Sequence, residues 1–178
     1  LKEGPLDRAN IAVKEGMVIR MVDGDTIKAN TDYAAYLNLK AGKFVLLTVF
    51  DPATGKEQQL TVKPISQGEE GELLYKRWVK NNEKDVEKLS NGQLGYVHIP
   101  GMGDGPYRDI YSEMMGKFHD RKGVVVDTRF NGGGDLVADL AMFFTGKKFI
   151  EYTNETRALG YEPSFRWTKP TVAMVSEA

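Results

Sequence analysis

The run from Val124 to Leu136 reads VVVDTRFNGGGDL, three valines leading through Asp127 and Asn131 into Gly132, Gly133 and Gly134. Bare backbone at the end of a strand has few uses. Glycine takes positive φ without steric cost and lets another backbone or a substrate come close. A helix starting just beyond presents unpaired N–H groups with partial positive charge. The stretch can therefore bind an anion such as phosphate, or form an oxyanion hole whose amides stabilise the charge developing on a carbonyl during acyl transfer. It can also simply turn a corner. Phosphate fits poorly, because neither GxGxxG nor GxxxxGK[ST] spacing is present and Asp135 adds a negative charge. Three successive glycines exceed what a corner requires.

Other residues carry weaker chemical signals. Ser176 invites the role of nucleophile, but it directly follows a strand-like run and lacks the small-residue elbow and base that activate a serine. His98, inside GYVHIP, reads as a hydrogen-bonded strand residue rather than a general base. His119, among Lys117, Asp120 and Arg121, reads as a helix-end residue that favours the dipole there. The two histidines lack metal-ligand spacing and there is no cysteine, so no zinc site, disulfide or thiolate chemistry is expected. No cofactor is expected either.

The glycines need a scaffold, and residues 73–178 supply one on paper. ELLYKRWVKNNEKDVEKLS reads as a charged helix packing through Leu74, Trp78, Val86 and Leu89. GYVHIP is a strand ended by Pro100. GPYRDIYSEMMGKFHDRKG repeats apolar residues at 107, 110, 111, 114 and 118, a helical spacing. VVVDTRF has the unbroken apolar start of a strand buried on both faces. DLVADLAMFF is an apolar helix and KPTVAMV a further buried strand. This β-α-β-α-β order predicts a parallel sheet with right-handed crossovers. Ligands gather at the carboxyl ends of strands in such sheets, where NGGG lies.

Residues 1–65 read differently. GMVIRMV and TIKA flank the acidic turn DGD, as a hairpin does. NTDYAAYLNLKAG comes next as a helix with Thr31 as N-cap, Tyr33 and Tyr36 on its packing face, and Gly42 as its stop. KFVLLTVFD and EQQLTVKPI are strands joined by the turn PATGK. SQGEEGE, residues 66–72, has no large apolar side chain and reads as a solvated linker between two domains.

The balance of 24 Lys plus Arg against 25 Asp plus Glu, scattered along the chain, leaves no basic footprint for nucleic acid. No apolar run reaches the roughly 20 residues that a membrane-spanning helix needs. Neither composition nor motif fixes a compartment.

Taken together, GQLGYVHIPGM, the helix after it, KGVVVDTRFNGGGDLVADLAMFF and KPTVAMVSEA resemble the core of the S41 serine peptidases, the C-terminal processing peptidases and more closely the tricorn-like peptidases. GPLDRANIAVKEGMVIRMVDGDTI resembles bacterial PDZ domains, which S41 peptidases commonly carry beside the protease core. The resemblance implies an α/β chain, with a partial PDZ-like β/α module over 1–65 followed by a crotonase/ClpP-like β-α-β protease core over 73–178. It implies peptide or unfolded-protein substrates and leaves a homo-oligomer open. By position, Gly132 and Gly133 become the oxyanion candidates, with Asn131 and Asp127 shaping the loop. The family's nucleophilic Ser follows the Pro-led strand by a few residues, which places it past Ala178. Its His precedes the PDZ module, and its Glu lies downstream of the Ser. The expectation is therefore a segment without nucleophile or base and inactive alone. Two rival readings stand beside it: a non-catalytic PDZ peptide-binding scaffold on a degenerate protease fold, and a crotonase-type acyl-CoA enzyme.

Overall fold

The computed structural model describes residues 1–177 and divides into two compact units, Leu1–Trp78 and Val79–Ala178, with Ala178 itself outside the described residues. In unit 1 the strands are β1 (Val18–Val22), β2 (Asp25–Thr26), β3 (Val45–Asp51) and β4 (Lys56–Val62), an antiparallel sheet in the order β2-β1-β3-β4. Val22, Val45, Leu47, Val49 and Val62 form its buried core, so the valine-rich strands close on one face while most of β4 stays exposed. Between β2 and β3 lies a single 3₁₀ helix, Tyr33–Leu37. It is shorter than the sequence predicts, and its N-cap is Asp32, whose carboxylate accepts from Ala34 N–H, rather than Thr31. Tyr36 is half-buried and its hydroxyl donates to Thr26 O at 3.2 Å, whereas Tyr33 is exposed. An apolar hollow of about 680 Å³ opens in this unit, lined among others by Val18, Ile19, Tyr33, Leu37 and Leu47.

Residues 66–72 are not an irregular linker. Helix α1 runs from Gln67 to Leu89. Ser66 Oγ accepts from Glu69 N–H at 3.2 Å while Glu69 Oε2 accepts from Ser66 N–H at 2.8 Å. This reciprocal capping box satisfies amides at the helix start and offsets the helix-weakening Gly68 and Gly71. The helix buries no residue fully, and Leu74 and Leu89 lie exposed instead of packing.

Unit 2 is built on β5 (Leu94–His98), β6 (Gly123–Asp127) and β9 (Thr171–Met174), all parallel, in the order β5-β6-β9. Between β5 and β6 runs α2 (Asp104–Ser112), continued by a single π-turn over Glu113–Lys117. The predicted apolar stripe holds, since Ile110, Met114 and Phe118 are buried against Val97, Val124 and Val126. Gly95 is required for that contact, because a Cβ there would stand 2.5 Å from the Phe118 ring. Helix α3 (Val137–Thr145) follows β6 and buries Phe143. The hairpin of β7 (Ile150–Thr153) and β8 (Ala158–Glu162) forms a separate two-stranded sheet that the sequence reading left out. Strand β9 is not buried as expected. It pairs on one side only, and Val172 is 60% exposed. No described helix is long and apolar enough to cross a membrane.

Candidate functional site

The glycine run leaves the carboxyl end of β6 and lies along the continuation of β5. Four hydrogen bonds join the two stretches. Asn131 Nδ2 donates to Ile99 O at 2.8 Å, Gly132 N–H to Pro100 O at 3.0 Å, Met102 N–H to Gly133 O at 2.8 Å, and Asp135 N–H to Met102 O at 2.9 Å. The approach explains one glycine outright. Gly134 has φ +133, and a Cβ there would sit 2.2 Å from Met102 O. No other residue allows backbone against backbone at this distance.

The same geometry assigns the amides of the two predicted oxyanion donors. Gly132 N–H is engaged by the main-chain carbonyl of Pro100. Gly133 N–H donates to Asn131 Oδ1 at 2.7 Å, an Asx turn in which the acceptor is a side chain. Gly134 N–H, which the sequence did not single out, has no hydrogen-bond partner among the described residues. All three glycines are exposed, with φ +85 at Gly133.

Beneath the loop lies a buried polar group that the sequence reading only touched. Strand alternation sets Tyr96 and His98 on one face of β5, and the parallel register pairs His98 with Asp127. Asp127 is fully buried. Tyr96 donates its hydroxyl to Asp127 Oδ2 at 2.7 Å, and Asn82 Nδ2 donates to the Tyr96 oxygen at 3.2 Å. Arg129 Nη2 meets Asp127 Oδ2 at 2.6 Å, its Nε reaches Oδ1 at 2.9 Å, and its main-chain N–H donates to Oδ1 at 3.0 Å. His98 Nε2 lies 2.7 Å from Arg129 O.

Electrostatics follow from these bonds. Burial works to raise the Asp127 pKa, but the Arg129 and Tyr96 hydrogen bonds outweigh it and hold the carboxyl at about 2. Burial and the neighbouring Asp127 together push the Tyr96 hydroxyl well above its ordinary range. The carboxylate is thus ionised at neutral pH and fully occupied in holding the start of the loop.

The structure brings Asp127, Asn131, Gly132, Gly133 and His98 together and leaves the remaining candidates apart. His119 is exposed and its Nδ1 meets Asp120 at 3.1 Å. Ser176 is exposed just after β9. Tyr96, Asn82, Arg129 and Gly134 are additions. A signal for the first existed, since a tyrosine two residues before a strand histidine must share its face. Among the described residues no group of three or more His, Asp or Glu side chains could hold a metal ion.

Comparison with known proteins gives a consistent result along the chain. Residues 93–178 match the model of peptidase family S41, and residues 1–67 match that of the tricorn protease PDZ domain. A tricorn protease homolog of Saccharolobus solfataricus is 36% identical over 133 residues, which is 75% of this chain and 12% of the relative. The tricorn protease of Thermoplasma acidophilum is 30% identical over 142 residues, 80% of this chain and 13% of the relative. A crystal structure of the tricorn protease aligns with a TM-score of 0.69 at 25% identity, over 90% of this chain and 15% of the solved one. This chain therefore spans only a small share of the length of the curated relatives it matches.

Proposed function

The chain is a tricorn-like member of peptidase family S41, and from that premise we propose that it forms part of a serine peptidase acting on peptides or unfolded proteins by acyl transfer. Its sheet β5-β6-β9 and the two crossovers belong to a crotonase/ClpP-like core beginning near residue 73, and residues 1–65 belong to a PDZ-like peptide-binding module. The apolar hollow of unit 1 suits the side chains of such a peptide. The nucleophilic Ser, its His and the Glu come from parts of the full-length protein outside this segment, which is inactive alone.

In this reading Ser Oγ attacks the scissile carbonyl, a C–O bond forms, and the carbonyl electron pair moves onto oxygen. That oxygen needs donors already aimed at it. The observation that carries the proposal is the state of the Gly133 amide, which is exposed, has positive φ, and is held by a side-chain oxygen rather than by main chain. An incoming oxyanion displaces Asn131 Oδ1 and takes over its hydrogen bond, with Gly134 N–H next to it. Gly132 contributes by closing the loop onto Pro100 and not as a donor. The base takes the Ser proton and delivers it to the leaving amine as the carbonyl re-forms and the C–N bond breaks, and water, giving its proton to the same base, then hydrolyses the acyl ester and returns the free Ser.

A non-catalytic scaffold is favoured by a different observation. The Gly132 and Gly133 amides are already satisfied within the chain, as in a purely structural corner. The acyl-CoA alternative loses support from the PDZ match over residues 1–67. Treating the full-length protein with a serine-directed phosphonate separates the readings. The peptidase reading expects one covalent adduct per chain together with loss of peptide cleavage. Absence of any adduct on folded protein would leave the scaffold.

A further inference from the structure

The loop that carries Gly133 is held to β5 and its continuation, and His98 holds it at Arg129, two residues beyond β6. A carbonyl oxygen can only accept, so the 2.7 Å contact with Arg129 O requires the proton on His98 Nε2. His98 is buried, on the same face as Tyr96 and next to Asp127 in the register. Arg129 is consequently fixed at three places. Its guanidinium and main-chain N–H bind Asp127, and its carbonyl receives His98.

The residue after Arg129 makes that attachment consequential. Phe130 has φ +61, a left-handed conformation that a bulky residue rarely adopts and that persists only when its surroundings determine it. The peptide entering Phe130 is set by the Arg129 carbonyl. The peptide leaving it is set by Asn131, whose Nδ2 is bound to Ile99 O. With both sides held, the chain enters the glycine run in one direction, and beyond it Gly132 N–H on Pro100 O and Met102 N–H on Gly133 O hold the run itself. The His98 contact is the hold nearest the strained residue, on the carbonyl of the peptide that enters it and leads on to the Gly133 and Gly134 amides.

We infer that His98 is a positioning residue for the glycine loop. It acts through the Arg129 carbonyl to aim the Gly133 and Gly134 amides, and exchanges no proton with the substrate. The inference rests on the acyl-transfer reading for its effect on rate, and on the loop geometry alone for its effect on order.

The test uses the full-length protein with His98→Leu and His98→Gln, since glutamine can return an N–H donor close to the Nε2 position. For His98→Leu, peptide hydrolysis should show kcat reduced about 100-fold with KM within about twofold, the scale of a misplaced catalytic group. His98→Gln should recover kcat to within about fivefold of the wild type. Equal loss in both variants would assign a proton-transfer role, and unchanged kcat in both would remove any role; either result overturns the inference. If His98→Leu fails to fold, as judged by its melting curve, folded His98→Gln decides alone, and a kcat below about 1% of wild type overturns the inference. Amide hydrogen exchange over residues 127–136 gives a readout independent of activity. Exchange should speed up about tenfold or more in His98→Leu and stay near wild type in His98→Gln. A wild-type protein that neither cleaves peptides nor reacts with the phosphonate ends the peptidase reading while leaving the exchange result to judge the clamp. Unchanged exchange in folded His98→Leu overturns the clamp whatever the activity.

Discussion

An arginine-carboxylate pair of unit 1 and one of the several in unit 2 share their chemistry and differ in almost everything else. In unit 1, Arg20 meets Glu57 across strands at 3.2 Å, with the side chains 48% and 46% exposed. In unit 2, Arg129 meets Asp127 at 2.6 Å, with the aspartate side chain 0% exposed. The first pair competes with water at every moment and is worth little. The second has exchanged water for Tyr96, the Arg129 amide and the guanidinium, so losing any partner leaves a buried charge short of a bond. Glycines divide in the same way. Gly55, in the β3–β4 turn, has φ +68 with open space where a Cβ would go, so it serves the turn alone. Gly134 combines positive φ with a backbone contact that excludes any side chain. Unit 1 uses these residue types to close a sheet, and unit 2 uses them to hold a loop in one conformation.

The contrast breaks most visibly at the glycines. Gly134→Ala should lower peptide cleavage by the full-length protein by about 100-fold or more, because the loop must leave Met102 and carry its amides away. Gly55→Ala should leave kcat unchanged and cost about 1 kcal/mol in denaturant unfolding. Similar kinetics for the two variants would erase the distinction.

Next in size come the ion pairs. Asp127→Asn should destabilise unit 2 by about 3 kcal/mol in urea unfolding at neutral pH, since it strands the Arg129 charge. Acid adds a sign to check. The folded-state pKa of Asp127 is depressed to about 2, so its contribution is present above the ordinary carboxylate range and is lost as pH falls through about 2. Between about pH 4 and pH 2 the wild type should therefore lose on the order of 1–2 kcal/mol more than Asp127→Asn. Parallel stability curves would contradict the assignment. Glu57→Ala should change unfolding by under about 0.5 kcal/mol, less still at high salt. Between these extremes, Ser66→Ala should cost about 1 kcal/mol of helix stability, read as fraying of residues 67–70 by hydrogen exchange.

The sequence made the scaffold of unit 2 legible because its signals were local. Apolar runs marked β5 and β6, and the spacing of Tyr107, Ile110, Met114 and Phe118 marked the crossover helix. Where a local signal had two meanings, the wrong one could be taken. Gly68 and Gly71 among glutamates resembled a linker, yet Ser66 and Glu69, three residues apart, cap a helix. The hairpin at 150–162 was missed although Asn154 forms the turn by accepting from Thr156 and Arg157. At the site, the NGGG run announced a special backbone, but what each amide does depends on residues 99–102, about 30 positions away in sequence and fixed only by the fold. Spacing alone could not show that Gly132 serves Pro100, that Gly133 is held by Asn131, or that Tyr96 and His98 reach back to the loop.

Whether the Gly133 amide receives the oxyanion is the central question, and a backbone ester at that position tests it. Replacing the Gly133 N–H with oxygen by protein ligation in the full-length protein removes one donor while keeping every side chain. The expected result is a kcat for peptide hydrolysis lower by about 10²–10³ with KM little changed, the loss that accompanies removal of one oxyanion donor. A kcat equal to that of the all-amide protein would contradict it.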